Sequence, residues 1–214
     1  MTKLNVIIID YGMGNIKSVM NSIKKIGYSS KLSNDPEDII NADAIILPGV
    51  GAFGEAMDNL KKLNLIDPII EYSTVLKKPI MGICLGMQLL ANSSDERGSH
   101  DGLSLIPGNV AIIPTPDGLV LPHVGWNDIS ITLDTPLYNN INNLDCFYFV
   151  HSYYFDCKKE YISASVNYGK KIAASVQSNN IFGVQFHPEK SQTKGIRLIE
   201  NFLSYAVSYK ENLC

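Results

Sequence analysis

Apolar and polar positions along this chain follow two rhythms, and the change falls near residue 92. In the first part, unbroken apolar runs alternate with stretches where apolar residues recur every three or four positions. LNVIIID (4–10) is compact and β-branched and stops at the turn-forming YGMGN, the pattern of a strand buried on both faces. Ile16, Val19, Met20, Ile23 and Ile26 then keep helical spacing until Gly27 ends the helix. The same alternation predicts a short strand over 29–32 and a short helix over 36–40 opened by Pro36. A buried strand over 42–48, helices over 53–62 and 65–76, a strand over 79–83 and a helix over 85–92 follow. Strands separated by helices imply βαβ units, a parallel sheet and right-handed crossovers. Ligands of such sheets bind beyond the carboxyl ends of the strands. Residues 10–15, residues 48–51 and Cys84 all fall at predicted strand ends and can share one rim.

Beyond residue 92 the helical spacing stops. NSSDERGSHDG reads as a polar loop, and VAIIP, LVLPHVGW, CFYFVHSYYF, YISASVNYG, KIAASVQS and IFGVQF read as short strands between turns. This half is expected to be largely antiparallel, extending or flanking the parallel core. A closing amphipathic helix over 192–208 carries Ile196, Ile199, Phe202 and Leu203 as its apolar stripe. No repeat or flexible linker interrupts the pattern, so an α/β fold in a single domain over 1–214 is expected.

Composition acts by exclusion. The chain has 214 residues, enough for a sizeable core, with 45% hydrophobic and 18% charged residues, an ordinary globular balance. Lys plus Arg number 18 against 21 acidic residues, a net charge of −3 with no basic run, which argues against nucleic acid as the main partner. No apolar stretch reaches the roughly 18 residues that span a bilayer. The N-terminal apolar segment runs into Asp10 and is better explained as a strand than as a secretory signal. Four cysteines, Cys84, Cys146, Cys157 and Cys214, form no CxxC pair. They are too sparse for a disulfide framework and imply free thiols in a reducing cytoplasm.

One of the four stands apart. In IMGICLGMQLL (80–90), Cys84 lies between Gly82 and Gly86 at a predicted strand-to-helix join. G-x-C-x-G has the spacing of a nucleophile elbow, where glycines permit a sharp turn and close backbone approach. The turn would put Cys84 at a helix N-terminus, which favours thiolate, with the Leu85 N–H facing a developing oxyanion. A buried packing cysteine is the plain alternative. A thiol nucleophile needs a base, and the base an orienting group. FGVQFHPEKS (182–191) offers His187 and Glu189 on either side of Pro188, which restricts the histidine backbone. Taken alone this is also compatible with a surface-loop histidine; no second histidine lies at metal-ligand spacing, so no metal and no other cofactor is expected. LPGVGAFGEAM (47–57) is either an ordinary βα turn or a loop that aims backbone N–H groups at a ligand.

PGVGAF, GICLGMQLL, FVHSYY and VQFHPEKS, in this order, resemble the class I (triad) glutamine amidotransferases. Within that class, DYGMGNIKSV, LPGVGAFGEAM, LPHVGWN and YFVHSYY resemble the family of glutaminase subunits of imidazole glycerol phosphate synthase, over residues 4–206. The resemblance implies a flavodoxin-like sheet and a Cys84, His187, Glu189 triad that hydrolyses glutamine to glutamate and ammonia. It implies an oxyanion site at Leu85 and Val50, and glutamine contacts at Gly51, Gln88, Ser152 and Tyr153. It further implies a heterodimer with a (β/α)₈ cyclase subunit that receives the ammonia for histidine biosynthesis. Asn15, Trp126, Tyr148 and Lys190 match positions that face this partner or shape the ammonia exit. As plain alternatives, Gln88 is an exposed helix residue, Trp126 a core anchor, Tyr148 a strand residue and Lys190 a solvated charge. His151 is expected to be a packed histidine near the site, and Cys146, Cys157 and Cys214 to be non-catalytic. A paralogue that supplies ammonia to a surface-sugar synthetase would carry the same triad. A stand-alone γ-glutamyl hydrolase and a binding module without catalysis are further alternatives.

Overall fold

The computed structural model describes residues 4–116 and 118–212, so Cys214 lies outside the described residues. The order of elements through the first half is β1 (Val6–Ile9), α1 (Ile16–Lys25), β2 (Ser30–Ser33), α2 (Pro36–Asn41), β3 (Ala44–Gly49), α3 (Phe53–Lys62), α4 (Ile66–Ile70), β4 (Ile80–Cys84) and α5 (Leu85–Gln88). The second half contributes β5 (Ser93–Ser94), β6 (His100–Asp101), β7 (Gly108–Ile112), β8 (His123–Ile131), β9 (Cys146–His151), β10 (Tyr153–Cys157), β11 (Ile162–Tyr168), β12 (Lys170–Ser178), β13 (Ile181–Val184) and α6 (Gln192–Glu211).

Among the described residues, nine strands form the main sheet in the order β2-β1-β3-β4-β13-β12-β11-β8-β9. The pairs from β2 to β13 are parallel, and β12, β11, β8 and β9 continue antiparallel. β10, β7, β5 and β6 make a second, smaller sheet. The expected parallel core and antiparallel extension are both present. β13 is the hinge between them, because it returns from the second half to lie parallel to β4.

Strand alternation explains the layers. Val6, Ile8, Ala44, Ile46, Met81 and Ile83 point to one face, against Val19 and Ile23 of α1 and Leu198, Ile199 and Phe202 of α6. Ile7, Ile9, Ile45, Leu47 and Ile80 point to the other, against Ile39, Phe53, Ala56, Leu60, Ile69 and Tyr72. Both faces of the parallel strands are therefore buried, which is why their sequences read as continuous apolar runs.

Four expectations need correction. The helix over 65–76 is α4 followed by a wider, π-helical turn (Glu71–Val75), closed by the Leu76 N–H on the Glu71 carbonyl at 3.0 Å. The helix over 85–92 shrinks to α5. Its last turns tighten, and the carbonyls of Leu89, Leu90 and Ala91 accept from Leu103, Ser104, Leu105 and Ile106 instead of propagating the helix. The polar loop after residue 92 contains β5 and β6, held by backbone pairing. CFYFVHSYYF is two strands in two sheets, broken at Ser152, whose carbonyl accepts from Ile113 N at 2.9 Å.

Candidate active site

β3 and β4 end side by side, with Gly49 in register with Cys84. Cys84 closes β4 and precedes α5, with φ 55° and ψ −111°. A non-glycine residue held there stores strain of order 1–3 kcal/mol, which persists only where the surroundings enforce it. The flanking glycines are not themselves the turn; they make room for it. A side chain on Gly82 would run into the Gly86 backbone, and one on Gly86 would overlap the Leu47 carbonyl. Tyr11, from the turn after β1, braces the neighbouring loop by donating its hydroxyl to the Pro48 carbonyl at 2.7 Å. Burial raises the Tyr11 pKa, with the nearby Cys84 adding to the effect, so this hydroxyl stays protonated.

His187 lies three residues beyond β13, and its N–H bonds the Tyr148 carbonyl of β9 at 2.9 Å. Its Nδ1 meets Glu189 Oε1 at 2.9 Å, and both side chains are almost fully buried. Ser191 holds the turn from below, donating its hydroxyl to the His187 carbonyl at 2.7 Å. The Glu189 oxygen also accepts from Asn15 Nδ2 at 3.1 Å. Asn15 thus joins the carboxylate from the other side of the rim, so the structure gives this residue a contact within the site. Burial works to lower the His187 pKa. The adjacent Cys84 sulfur and the hydrogen-bonded Glu189 carboxylate outweigh it and push the imidazole up to about 9. Nε2 itself makes no hydrogen bond among the described residues. The influence of Cys84 is therefore one of proximity in this resting geometry, because the donor–acceptor geometry of a formed bond is not met.

Cys84 and His187 line one cavity of about 520 Å³, together with Val50, Gly51, Leu85, Gln88, Ser152 and Tyr153. Every residue expected at the triad nucleophile and base, the oxyanion site and the glutamine contacts is in that wall. Gln88 is buried rather than exposed, its amide Nε2 donating to the Tyr153 carbonyl at 3.1 Å. Glu96 and Arg97 also line the cavity, and motif reasoning passed over them because they sit in the polar stretch after residue 92. Their opposite charges suit the ammonium and carboxylate of a free amino acid.

His151 is packed, as expected. Its Nδ1 meets the Tyr153 carbonyl at 2.8 Å and its Nε2 meets His123 Nδ1 at 3.0 Å. The carbonyl can only accept, so Nδ1 carries the proton and Nε2 accepts from His123. Burial pulls His123 down to about 4 and His151 down to about 3, so both rings stay neutral. Cys146 is exposed, while burial, with a smaller contribution from Asp156, pushes the Cys157 thiol up to about 12.

Trp126 on β8 stands opposite Tyr148 on edge strand β9, ring centroids 6.0 Å apart. Lys190 Nζ lies 5.8 Å from the centre of the Tyr148 ring. Trp126 is 49% exposed and is no core anchor. Val124 and Val150 pair next along the same two strands, and Val150 also lines the cavity. An exposed apolar patch therefore reaches the cavity wall. Among the described residues, no helix is long and apolar enough to cross a membrane.

Comparison with known proteins gives a consistent picture. The family model "Glutamine amidotransferase class-I" matches residues 7–205. A Campylobacter jejuni protein named imidazole glycerol phosphate synthase subunit HisH 1 is 49% identical over 195 residues, covering 91% of this chain and 97% of that protein. A Vibrio vulnificus HisH 2 is 45% identical over 203 residues, covering 94% of this chain and 95% of its own. A solved structure of a glutamine amidotransferase superposes with a TM-score of 0.74 at 17% identity, covering 94% of this chain and 99% of that one. The Thermotoga maritima PurLQS structure gives 0.72 at 19% identity, covering 95% and 99%. At these identities the two structures speak for the fold alone.

Proposed function

This chain belongs to the class-I glutamine amidotransferases, among the HisH subunits, and from that premise we propose that it is the glutaminase subunit of an imidazole glycerol phosphate synthase. The single observation that carries the chemistry is the convergence of Cys84 and the buried His187–Glu189 pair on one cavity.

Cys84 sulfur attacks the side-chain carboxamide carbon of glutamine after His187 Nε2 has taken the thiol proton. The carbonyl π electrons move to oxygen, and the Leu85 N–H and the Val50 loop meet that oxyanion. As the tetrahedral intermediate collapses, the C–N bond breaks and His187 returns its proton to the departing ammonia. A γ-glutamyl thioester remains. Water attacks it with His187 as base, the C–S bond breaks, and glutamate leaves. Glu189 holds the imidazole by Nδ1 and favours its charged form; Asn15 holds Glu189. Gly51, Gln88, Ser152 and Tyr153 hold the glutamine, with the Glu96 and Arg97 charges available to its ammonium and carboxylate. No metal or other cofactor enters these steps, and free thiols suit a reducing cytoplasm.

The ammonia passes to a cyclase subunit seated over Val124, Trp126, Tyr148 and Val150, with Lys190 at its margin. The patch is apolar, aromatic and exposed beside the nucleophile, as an anchor for a partner has to be. Docking there would also bear on the Val50 loop, where Gly51 already takes φ +107° and Val50 is exposed, a backbone able to change orientation at small cost. Trp126→Asp tests the seat. It is expected to weaken the complex with the cyclase at least about 30-fold in calorimetry, the loss typical of a central aromatic anchor. An unchanged affinity in a folded variant would remove Trp126 from the interface.

A further inference from the structure

Beside the nucleophile, the steps above leave the buried amide of Gln185 without a role. Gln185 follows β13 directly and precedes the catalytic histidine by two residues, and it is 0% exposed. A primary amide in such a place is tolerated only when its polar atoms are paired. Its Nε2 lies 3.7 Å from Cys84 Sγ, and its Oε1 accepts from Gln88 Nε2 at 2.9 Å.

The network itself fixes which way both amides point. The Tyr153 carbonyl can only accept, so the end of Gln88 that faces it must be the NH₂ group. That same NH₂ group faces Gln185, which must therefore present its oxygen. The NH₂ of Gln185 is left for the sulfur. The far end of the chain is anchored as well, because the Tyr153 carbonyl also accepts from His151 Nδ1. The Gln185 backbone is held in turn by its N–H on the Ala174 carbonyl at 2.8 Å. The donor thus sits on the sheet, not on a mobile loop.

We propose that Gln185 is a positioning residue for the nucleophile. Its amide N–H is aimed at the Cys84 sulfur, and its carbonyl locks Gln88 in the wall of the glutamine cavity. One side chain then sets the sulfur and a substrate-holding group relative to each other. A hydrogen bond to sulfur strengthens as charge develops there, and burial strengthens it further. The titratable groups around the sulfur are His187 from the turn after β13, His151 from β9, Tyr153 from β10 and Tyr11 from the turn after β1, with Glu96 and Arg97 in the same cavity wall. Gln185 differs from all of them in supplying a donor that is uncharged at every pH. The inference rests on Cys84 being the nucleophile, and its test separates the two claims.

The test is alkylation of the full chain by iodoacetamide, with Cys84 and the exposed Cys146 followed as separate peptides by mass spectrometry. In the wild type, Cys84 should react faster than Cys146 at about pH 7. Gln185→Met should slow Cys84 about ten-fold or more at that pH, the loss expected for one hydrogen bond to a charged acceptor, and should converge with the wild type at about pH 10. Gln185→Glu, of the same shape, should be slower still. A merely structural Gln185 would leave this pH profile unmoved. Independently of any substitution at 185, the Gln185 side-chain ¹⁵N–¹H₂ signal should shift as pH takes Cys84 to thiolate, and should lose that shift in Cys84→Ala. Equal alkylation rates in the wild type and a folded Gln185 variant, or an amide signal blind to Cys84, would overturn the proposal while leaving the nucleophile in place. A wild-type Cys84 no faster than Cys146 would overturn both.

Discussion

Cys84→Ala will reduce glutamine hydrolysis by roughly 10⁴-fold or more while leaving the fold and the ammonia-dependent reaction of the cyclase partner intact, since without the sulfur no thioester can form. Among the described residues no other thiol can stand in, because Cys146 is on the surface and Cys157 sits in β10, outside the cavity wall. The substitution removes a single heavy atom from the buried Cys84 side chain, so the fold should survive it. It also separates the two halves of the synthase reaction. Glutamine-dependent product formation should vanish, and added ammonium should restore it. The measurement is product formation by the reconstituted complex with each nitrogen source in turn. Persistent glutamine-dependent turnover would show that the cysteine at the elbow is not the attacking group.

Gly86→Ala is expected to do comparable damage by a different route. A Cβ there would overlap the Leu47 carbonyl oxygen and come within 2.8 Å of its carbonyl carbon. Both belong to the backbone of β3, which is paired on both sides in the parallel core and cannot retreat. Either β3 or the elbow has to move. Overpacking of this kind costs about 1–3 kcal/mol or somewhat more, which for a chain of this size lowers the melting temperature by roughly 6–12 °C at the upper end. Activity should fall further than stability does. The elbow sets both the strained backbone of Cys84 and the Leu85 N–H, and a displacement of an ångström there is costly in rate. Thermal melting and glutaminase assay of the same preparation check both effects. A variant that melts and turns over like the wild type would mean that close approach of Gly86 to β3 does not hold the elbow.

The sequence pattern conveyed the scaffold of this site because the physics that builds it is periodic. β1, β3 and β4 are buried on both faces, so they appear as continuous apolar runs, and Cys84, residues 48–51 and His187 could be set at the carboxyl ends of strands. Periodicity failed where backbone pairing, not side-chain burial, makes the element. β5 and β6 are two residues each and polar, and nothing in NSSDERGSHDG marks them. It failed again in CFYFVHSYYF, where the aromatic run continues across Ser152 although the chain changes sheet. Periodicity carries the helix past α5 to residue 92 because residues 103–106, which take the carbonyls of Leu89, Leu90 and Ala91, are distant in sequence.

The candidate site divides along similar lines. Cys84, His187 and Glu189 stand in short patterns whose chemistry is local and legible. Tyr11 stands in a turn and Gln185 in an apolar run, and both act through partners that only the fold supplies. A signal for Gln185 did exist: a glutamine inside the buried run IFGVQF needs a hydrogen-bond partner, and that requirement alone marks it as a member of a polar network. Asn15 shows the opposite case. Its family match points outward to a partner, and the structure adds a bond to Glu189, so that the residue links the rim to the triad.

The most direct test of the whole account is glutamate release from glutamine by the purified chain, measured alone, with the cyclase subunit, and with the cyclase plus its nucleotide ligand. Near silence is expected from the chain alone if, as proposed, docking over Trp126 and Tyr148 completes the Val50 side of the oxyanion site, with strong release in the full mixture. Equal release in all three arms, from folded protein, would contradict it and point to a hydrolase that acts without a partner.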